Sequence, residues 1–185
     1  MIDRELNIRF CGIAGDGIVT SGRILALACA SAGLEVMVND IYSAEIRGLG
    51  KSTTSVRFSN SKIYSMGDGI DLLGGLSAKE SIAEVKDIKP EGGVLYDNSQ
   101  VVDVPEESSL AAHIPPEIHG YGIPLKKLAN QASGTNKGRN LVAMGALCFL
   151  YSLPPGMFIK QINNLFARKG KKVAESNINA FNLGY

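Results

Sequence analysis

The sequence predicts an α/β domain, a doubly wound, mostly parallel sheet of Rossmann-like form with helices at its C-terminal end. Three observations carry that reading. An apolar run, Ile8-Arg9-Phe10-Cys11, breaks at clustered glycines and restarts at helical spacing from Ile18 to Ala32. Further strand-like runs at 70–76 and 93–97 alternate with helix-like stretches, and the last third is helical in period throughout.

Residues 6–11 read as a short strand, and Ile18-Val19, Ile24-Leu25, Leu27-Ala28 and Ala32 then mark one helix face up to Gly33, a good stop. Residues 35–38 resume as a strand. The resulting β-loop-α-β unit has the length of about thirty residues that a crossover between parallel strands needs. Residues 52–59 alternate as a strand with one wet face. Ser61-Lys62 reads as a turn into a paired edge strand at 63–65. Residues 70–76 read as a central strand, and Ser77 is placed to cap a helix over 78–85 whose exit is marked by Pro90 and Gly92-Gly93. A strand at 93–97 follows, then an irregular polar stretch at 99–118 and a strand at 119–123. Pro124 opens a helix to Gln131. Beyond a polar loop at 133–138, helices are expected over 139–152, 155–168 and 171–183.

At 185 residues the chain suits one domain, 1–185, able to bury about 70% of its unfolded surface without staples. Formal net charge is +1, and no Lys/Arg run exceeds Lys171-Lys172, which argues against a nucleic-acid binder. Cys11, Cys29 and Cys148 are widely spaced and form no C-x-x-C pair, as expected for buried thiols in a reducing cytosol. That spacing also excludes a self-contained iron–sulfur or zinc site. The charged start, Met1 to Glu5, has no signal-type apolar stretch, and no segment reaches the roughly 18 apolar residues of a membrane span. A cytoplasmic, soluble domain is the expectation.

The glycine loop carries the first candidate chemistry. Backbone N–H groups at a helix start are positively polarised and accept phosphate. The dinucleotide fingerprint G-x-G-x-x-G would need glycine at position 14, which is Ala14; the chain has G-x-x-G-x-G through Gly12, Gly15 and Gly17. Asp40 stands where a nicotinamide enzyme puts its ribose acid, whereas Asp16 inside the turn would oppose a pyrophosphate. The plain alternative is a tight strand-to-helix turn with no ligand. The second candidate is Tyr42 to Ser52. Its Gly50-Lys51-Ser52 is not a P-loop, because the first glycine would fall on Glu45 and the lysine leads into a strand. What remains is a turn carrying Arg47 and Lys51 near the carboxyl edge of the sheet, suited to a phosphate or, equally, to solvent or a neighbouring chain. His113 and His119 lack a metal-like cluster, and no Ser/His/Asp order stands out. Asn136, Lys137, Arg139 and Asn140 precede a very apolar helix, either as a helix start or as a second loop facing an anion or a subunit.

In order along the chain, Gly12 to Ala26, Tyr42 to Arg57, Asn140 to Leu147 and Asn177 to Tyr185 resemble the gamma subunit, or gamma domain, of 2-oxoacid:ferredoxin oxidoreductases acting on pyruvate, 2-oxoglutarate or ketoisovalerate. Two positions depart from that pattern: Asp16 stands where the family usually has Gln, and Leu49 follows Arg47-Gly48 where it usually has a second Gly. The resemblance implies a share in the oxidative decarboxylation of a 2-oxoacid to acyl-CoA in anaerobic metabolism, with no catalytic residue and no metal ligand in this chain. It implies coenzyme A contacts from Gly12, Gly15, Asp16, Gly17, Arg47, Gly48, Lys51 and Ser52. Thiamine diphosphate and iron–sulfur clusters are expected in partners, namely thiamine-binding alpha and beta subunits and a ferredoxin-like delta subunit, and a homodimer is compatible with the isolated chain. Two other readings stay open: an NAD(P)-binding dehydrogenase domain resting on Asp40, and a structural subunit without a ligand.

Overall fold

The structure, a computed structural model, describes residues 5–42, 50–99 and 109–185. Among these residues six strands form one sheet in the order β2-β3-β1-β4-β5-β6. They are β1 (Leu6–Ile13), β2 (Glu35–Tyr42), β3 (Lys51–Ser59), β4 (Ile70–Gly75), β5 (Ile88–Asp97) and β6 (His119–Ile123). β1, β4, β5 and β6 run parallel, as the sequence predicts. On the other flank β3 is antiparallel to both β1 and β2. The helix α1 (Ile18–Ser31) therefore does return the chain parallel to β1, but β3 is inserted between the two strands.

That insertion corrects two local expectations. The strand at 63–65 does not form, because β3 already pairs on both edges. The segment is instead held by side chains: Arg57 donates to Ser65 O at 2.7 Å, and Asn7 Nδ2 donates to Met66 O and Gly69 O at 2.7 and 2.9 Å. Nor does β3 keep a wet face. Ser52, Thr53, Thr54 and Ser55 are all buried. Thr54 sits so close under α1 that a Cβ on Gly22 would lie 2.3 Å from its hydroxyl oxygen, and Ser55 accepts from Arg9 Nε at 3.0 Å.

Helices cover the two faces unequally. One face carries α1, α3 (Leu125–Ser133), α4 (Arg139–Leu150), α5 (Pro155–Phe166) and α6 (Lys171–Gly184), close to the predicted spans. Within that stack α4 is buried continuously from Asn140 to Cys148, which explains why its sequence is apolar on every side. α4 and α6 touch backbone to backbone: a Cβ on Gly145 would stand 2.0 Å from Phe181 O, and one on Gly184 would stand 2.0 Å from Val142 O. Among the described residues the opposite face carries only the single turn α2 (Ala78–Ser81), a 3-10 segment at Ile82–Asp87 and another at Leu110–His113. The helix expected over 78–85 is thus a short turn continued as 3-10. Ser77 occupies the cap position, but its hydroxyl donates to the Glu80 carboxylate rather than accepting a backbone N–H. β5 starts at Ile88, earlier than predicted, and takes Pro90 into an irregular register opposite Ile70 to Leu72. A proline is tolerated there because it has no N–H to give to a regular ladder.

Candidate functional site

At the end of β1 the chain turns back on itself: Asp16 N–H donates to Ile13 O at 3.1 Å, and Gly15 and Gly17 adopt φ of 96° and 77°. Such left-handed geometry suits glycine, which carries no Cβ. α1 then begins without a side-chain cap. The Asp16 side chain folds inward and is only 7% exposed. Its Oδ2 accepts from Ile13 N–H at 3.1 Å, and its Oδ1 is ion-paired with Arg139 Nη2 at the start of α4. Next door, Asn140 Nδ2 donates to Gly17 O and Ser21 Oγ, both at 3.3 Å. The first turn of α4 is in this way bolted to the first turn of α1.

Beside this junction lies an open cleft of about 1160 Å³. The glycine loop and Thr20 form one wall, the α3–α4 connection a second, and the end of α5 with the start of α6 a third. Its charged lining, among the described residues, is unbalanced: Lys137, Arg139, Lys169 and Lys172 face the one carboxylate of Asp16. Among the described residues Lys137, Lys169 and Lys172 make no ion pair, and Lys169 Nζ stands 5.5 Å from the centre of the Phe166 ring. Three helices, α1, α4 and α6, start at this cleft from Gly17, Gly138 and Gly170. None has a side-chain cap or an acidic residue in its first turn. Cations at helix starts oppose the helix dipole, so the cleft holds electrostatic repulsion that a bound anion would relieve.

The other predicted residues divide. Lys51 and Ser52 pair with Ile13 and Gly12 across the β1–β3 ladder, so they stand directly beside the glycine loop. Lys51 Nζ, however, is ion-paired with Glu84 on the far face of the sheet. Glu84 also takes Arg9 Nη1 at 2.7 Å, and the same nitrogen reaches Asp87 at 2.6 Å. Arg47 and Gly48 lie outside the described residues. Asp40, on β2, accepts from the Thr54 hydroxyl of β3, and β3 lies between it and β1, so the glycine-loop-to-acid spacing of a nicotinamide site is not built. His113 bonds its own turn through Ser109 O at 3.0 Å, apart from the cleft.

The three thiols are buried: desolvation pushes Cys11 up to about 11, and Cys29 and Cys148 up to about 12. They do not fit cluster chemistry, which needs accessible, low-pKa thiolates gathered together. Among the described residues no group of three His, Cys, Asp or Glu side chains could hold a metal ion, and no helix is long and apolar enough to cross a membrane.

The sequence singles out Asn136, Lys137, Arg139 and Asn140 as a polar loop without pairing them to Asp16; it marks Lys172 only as part of a short basic run and gives Lys169 no role. A signal was present: Gly170-Lys171-Lys172 and Gly138-Arg139 put cations where a helix start favours acids.

The fold is an α/β domain with a parallel half-sheet, an uncapped glycine loop at the end of β1 and a cleft lined by cations beside it. Residues 7–185 match the model of the pyruvate ferredoxin/flavodoxin oxidoreductase family. The chain belongs to that family and is a gamma-type module of 2-oxoacid:ferredoxin oxidoreductases. It is 28% identical over 183 residues to the 2-oxoglutarate synthase subunit KorC of Archaeoglobus fulgidus, covering 98% of this chain and 87% of that one. The 2-oxoglutarate:ferredoxin oxidoreductase of Magnetococcus marinus, solved with 2-oxoglutarate, coenzyme A and succinyl-CoA bound, superposes with a TM-score of 0.86 at 32% identity. The match covers 98% of this chain but 30% of that one. The pyruvate oxidoreductase subunit PORC of Thermotoga maritima shares the fold, with a TM-score of 0.79 at 21% identity over 99% of this chain and 96% of that one.

Proposed function

We propose that this chain supplies coenzyme A contacts and assembly surface to a cytoplasmic enzyme that oxidatively decarboxylates a 2-oxoacid, giving acyl-CoA and CO₂ and passing electrons to ferredoxin. Thiamine diphosphate and iron–sulfur clusters belong, in this reading, to alpha and beta subunits and a ferredoxin-like delta subunit. This chain does no bond chemistry itself; it holds and orients the thiol-bearing acceptor.

The carrying observation is the cation excess of the cleft, Lys137, Arg139, Lys169 and Lys172 against Asp16, at three uncapped helix starts. Coenzyme A brings a pyrophosphate and a ribose phosphate, which such a surface suits. Each charge-assisted hydrogen bond is worth about 1.5–3 kcal/mol when desolvated. The Magnetococcus enzyme, matched over nearly the whole chain, is one solved with coenzyme A bound. In the proposal Gly15, Asp16 and Gly17 shape the near wall; Gly12 is buried behind it in β1, where it leaves room for the Asp16 carboxylate, and Lys51 and Ser52 begin the strand alongside. Arg47 and Gly48 complete the set from the segment between β2 and β3.

The test is steady-state kinetics of a reconstituted complex. Lys169→Ala combined with Lys172→Ala is expected to raise the KM for coenzyme A about tenfold, the equivalent of about 1.4 kcal/mol, and to leave the KM for the 2-oxoacid unchanged. Arg47→Ala, measured in parallel, reports whether that residue belongs to the same site. An assembled double variant with wild-type KM for coenzyme A overturns the reading.

A further inference from the structure

The glycine loop walls one side of the cleft, yet two of its glycines face this chain's own side chains. A Cβ on Gly12 would stand 2.7 Å from Asp16 Oδ2, and a Cβ on Gly17 would stand 2.6 Å from Asn140 Nδ2. Two of the three glycines therefore leave room for this chain's own side chains. The carboxylate seated there accepts a loop N–H, from Ile13, and holds Arg139. An anion received by a loop N–H and an arginine is the arrangement that a phosphate would otherwise make.

We propose that Asp16 is the built-in anion of the glycine loop and that Arg139 is shared between it and the phosphate of an incoming ligand, so that this one carboxylate sets how tightly the cleft takes phosphate esters. Asp16 is 7% exposed and Arg139 is 21% exposed, so the pair is sheltered enough for its charges to be felt. Only Nη2 of Arg139 is bonded among the described residues, and the guanidinium lines the cleft with N–H donors to spare. A phosphate drawn to those donors meets attraction from Arg139 and the lysines and repulsion from Asp16. The loop thus acts as a latch between α1 and α4 that moderates anion affinity, while Lys137, Lys169 and Lys172 supply the attraction from the other walls.

The inference rests on the coenzyme reading only for the name of the natural ligand, so inorganic pyrophosphate is the probe. Calorimetric titration of the full chain at fixed low ionic strength compares the wild type with Asp16→Asn, Arg139→Gln and the double variant. Asp16→Asn keeps an oxygen for Ile13 N–H while removing the charge, and is expected to bind pyrophosphate about tenfold tighter. In the Arg139→Gln background the same change is expected to do no more than about twofold, an interaction that a merely structural role would not produce. Asp16→Ser serves as a second neutral variant should Asn fail to give a cooperative melt. Equal or weaker binding by both neutral variants overturns the proposal, as does a gain that persists in full without Arg139, or no pyrophosphate binding by any of the proteins. Coenzyme A titrated in the same series separates the two readings. A gain for pyrophosphate with no coenzyme binding removes the coenzyme and keeps Asp16. Coenzyme binding with no effect of Asp16 does the reverse.

Discussion

Two cations flank the end of β1 and meet opposite fates. Lys51, one strand away, closes a network in which Lys51 and Arg9 share Glu84 and Arg9 also holds Asp87. Positive and negative charges there balance, on the face of the sheet covered by α2 and the 3-10 turn. Arg139, brought from the other end of the chain, meets one carboxylate in a cleft where three further lysines have none among the described residues. Each of these two basic residues meets one carboxylate; what separates them is the balance of the cluster around the pair, two cations to two carboxylates in the first and four to one among the described residues of the second. The first cluster is spent on holding elements together, and the second leaves positive charge unbalanced among the described residues.

The largest effect is expected where the helical side is dislodged from the sheet. Gly145→Ala places a methyl group against the backbone of α6, 2.0 Å from Phe181 O, where no rotamer change relieves it. We expect α4 and α6 to separate, with a loss of about 3 kcal/mol in urea unfolding, since overpacking against backbone lies at the upper end of such costs. The cleft, built on the first turns of those helices, should lose its anion affinity in the same variant. A stable Gly145→Ala protein with intact binding would mean that the close approach of α4 and α6 does not position the site.

Glu84→Gln sharpens the comparison from the other side. Removing that charge leaves Arg9 with Asp87 alone and Lys51 without its carboxylate. Broken pairs of this kind cost several kcal/mol when buried, and Lys51 and Asp87 here are 37% and 40% exposed at their side chains, so about 2 kcal/mol is expected. Pyrophosphate and coenzyme A affinity should not change. An altered affinity would show that Lys51 takes part in the cleft after all.

The same contrast explains what could be read from the chain without its structure. The strand, glycine loop and first helix were legible because each is a local signal: an apolar run, clustered glycines, then apolar residues at helical spacing. The span of α4 was equally plain. The insertion of β3 was not, because periodicity reveals a strand and says nothing of its neighbours. For that reason the 63–65 segment looked like an edge strand when no edge was free to receive it. Asp16 and Arg139 were each noticed, but they are 123 positions apart, and only the fold makes them a pair. Asp16 looked wrong for a phosphate loop because its partner was out of sight. Lys172 stands in the sequence as half of a short basic run, and its place in the first turn of α6, which is unfavourable for a cation, was the informative part; Lys169 reaches the cleft only through the fold, from the end of the 3-10 segment before α6.

The thiols divide between the same two sides and permit the finest test. Cys11 lies near Glu84 and Lys51, with its Sγ donating to Glu80 O at 3.4 Å; Cys29 and Cys148 lie in the helical core, where Cys148 Sγ donates to Leu153 O at 3.1 Å. Burial raises all three, from an ordinary value of 9.0 to about 11 for Cys11 and about 12 for the other two. In the unfolded chain they ionise near 9, while the folded chain keeps its protons to higher pH. The stability they contribute is therefore complete below pH 9 and is lost as pH climbs through the folded values. Between pH 8 and 9 that loss should amount to about 1 kcal/mol over the three thiols. The readout is the difference in slope of unfolding free energy against pH between the wild type and the triple Cys→Ala variant, which cancels the tyrosines, lysines and terminus. Cys11→Ala alone should flatten the curve chiefly below pH 11, and Cys29→Ala with Cys148→Ala should flatten it further up. Identical slopes in the wild type and the triple variant would mean that the thiols ionise as readily folded as unfolded, and that neither side of the sheet seals them from water.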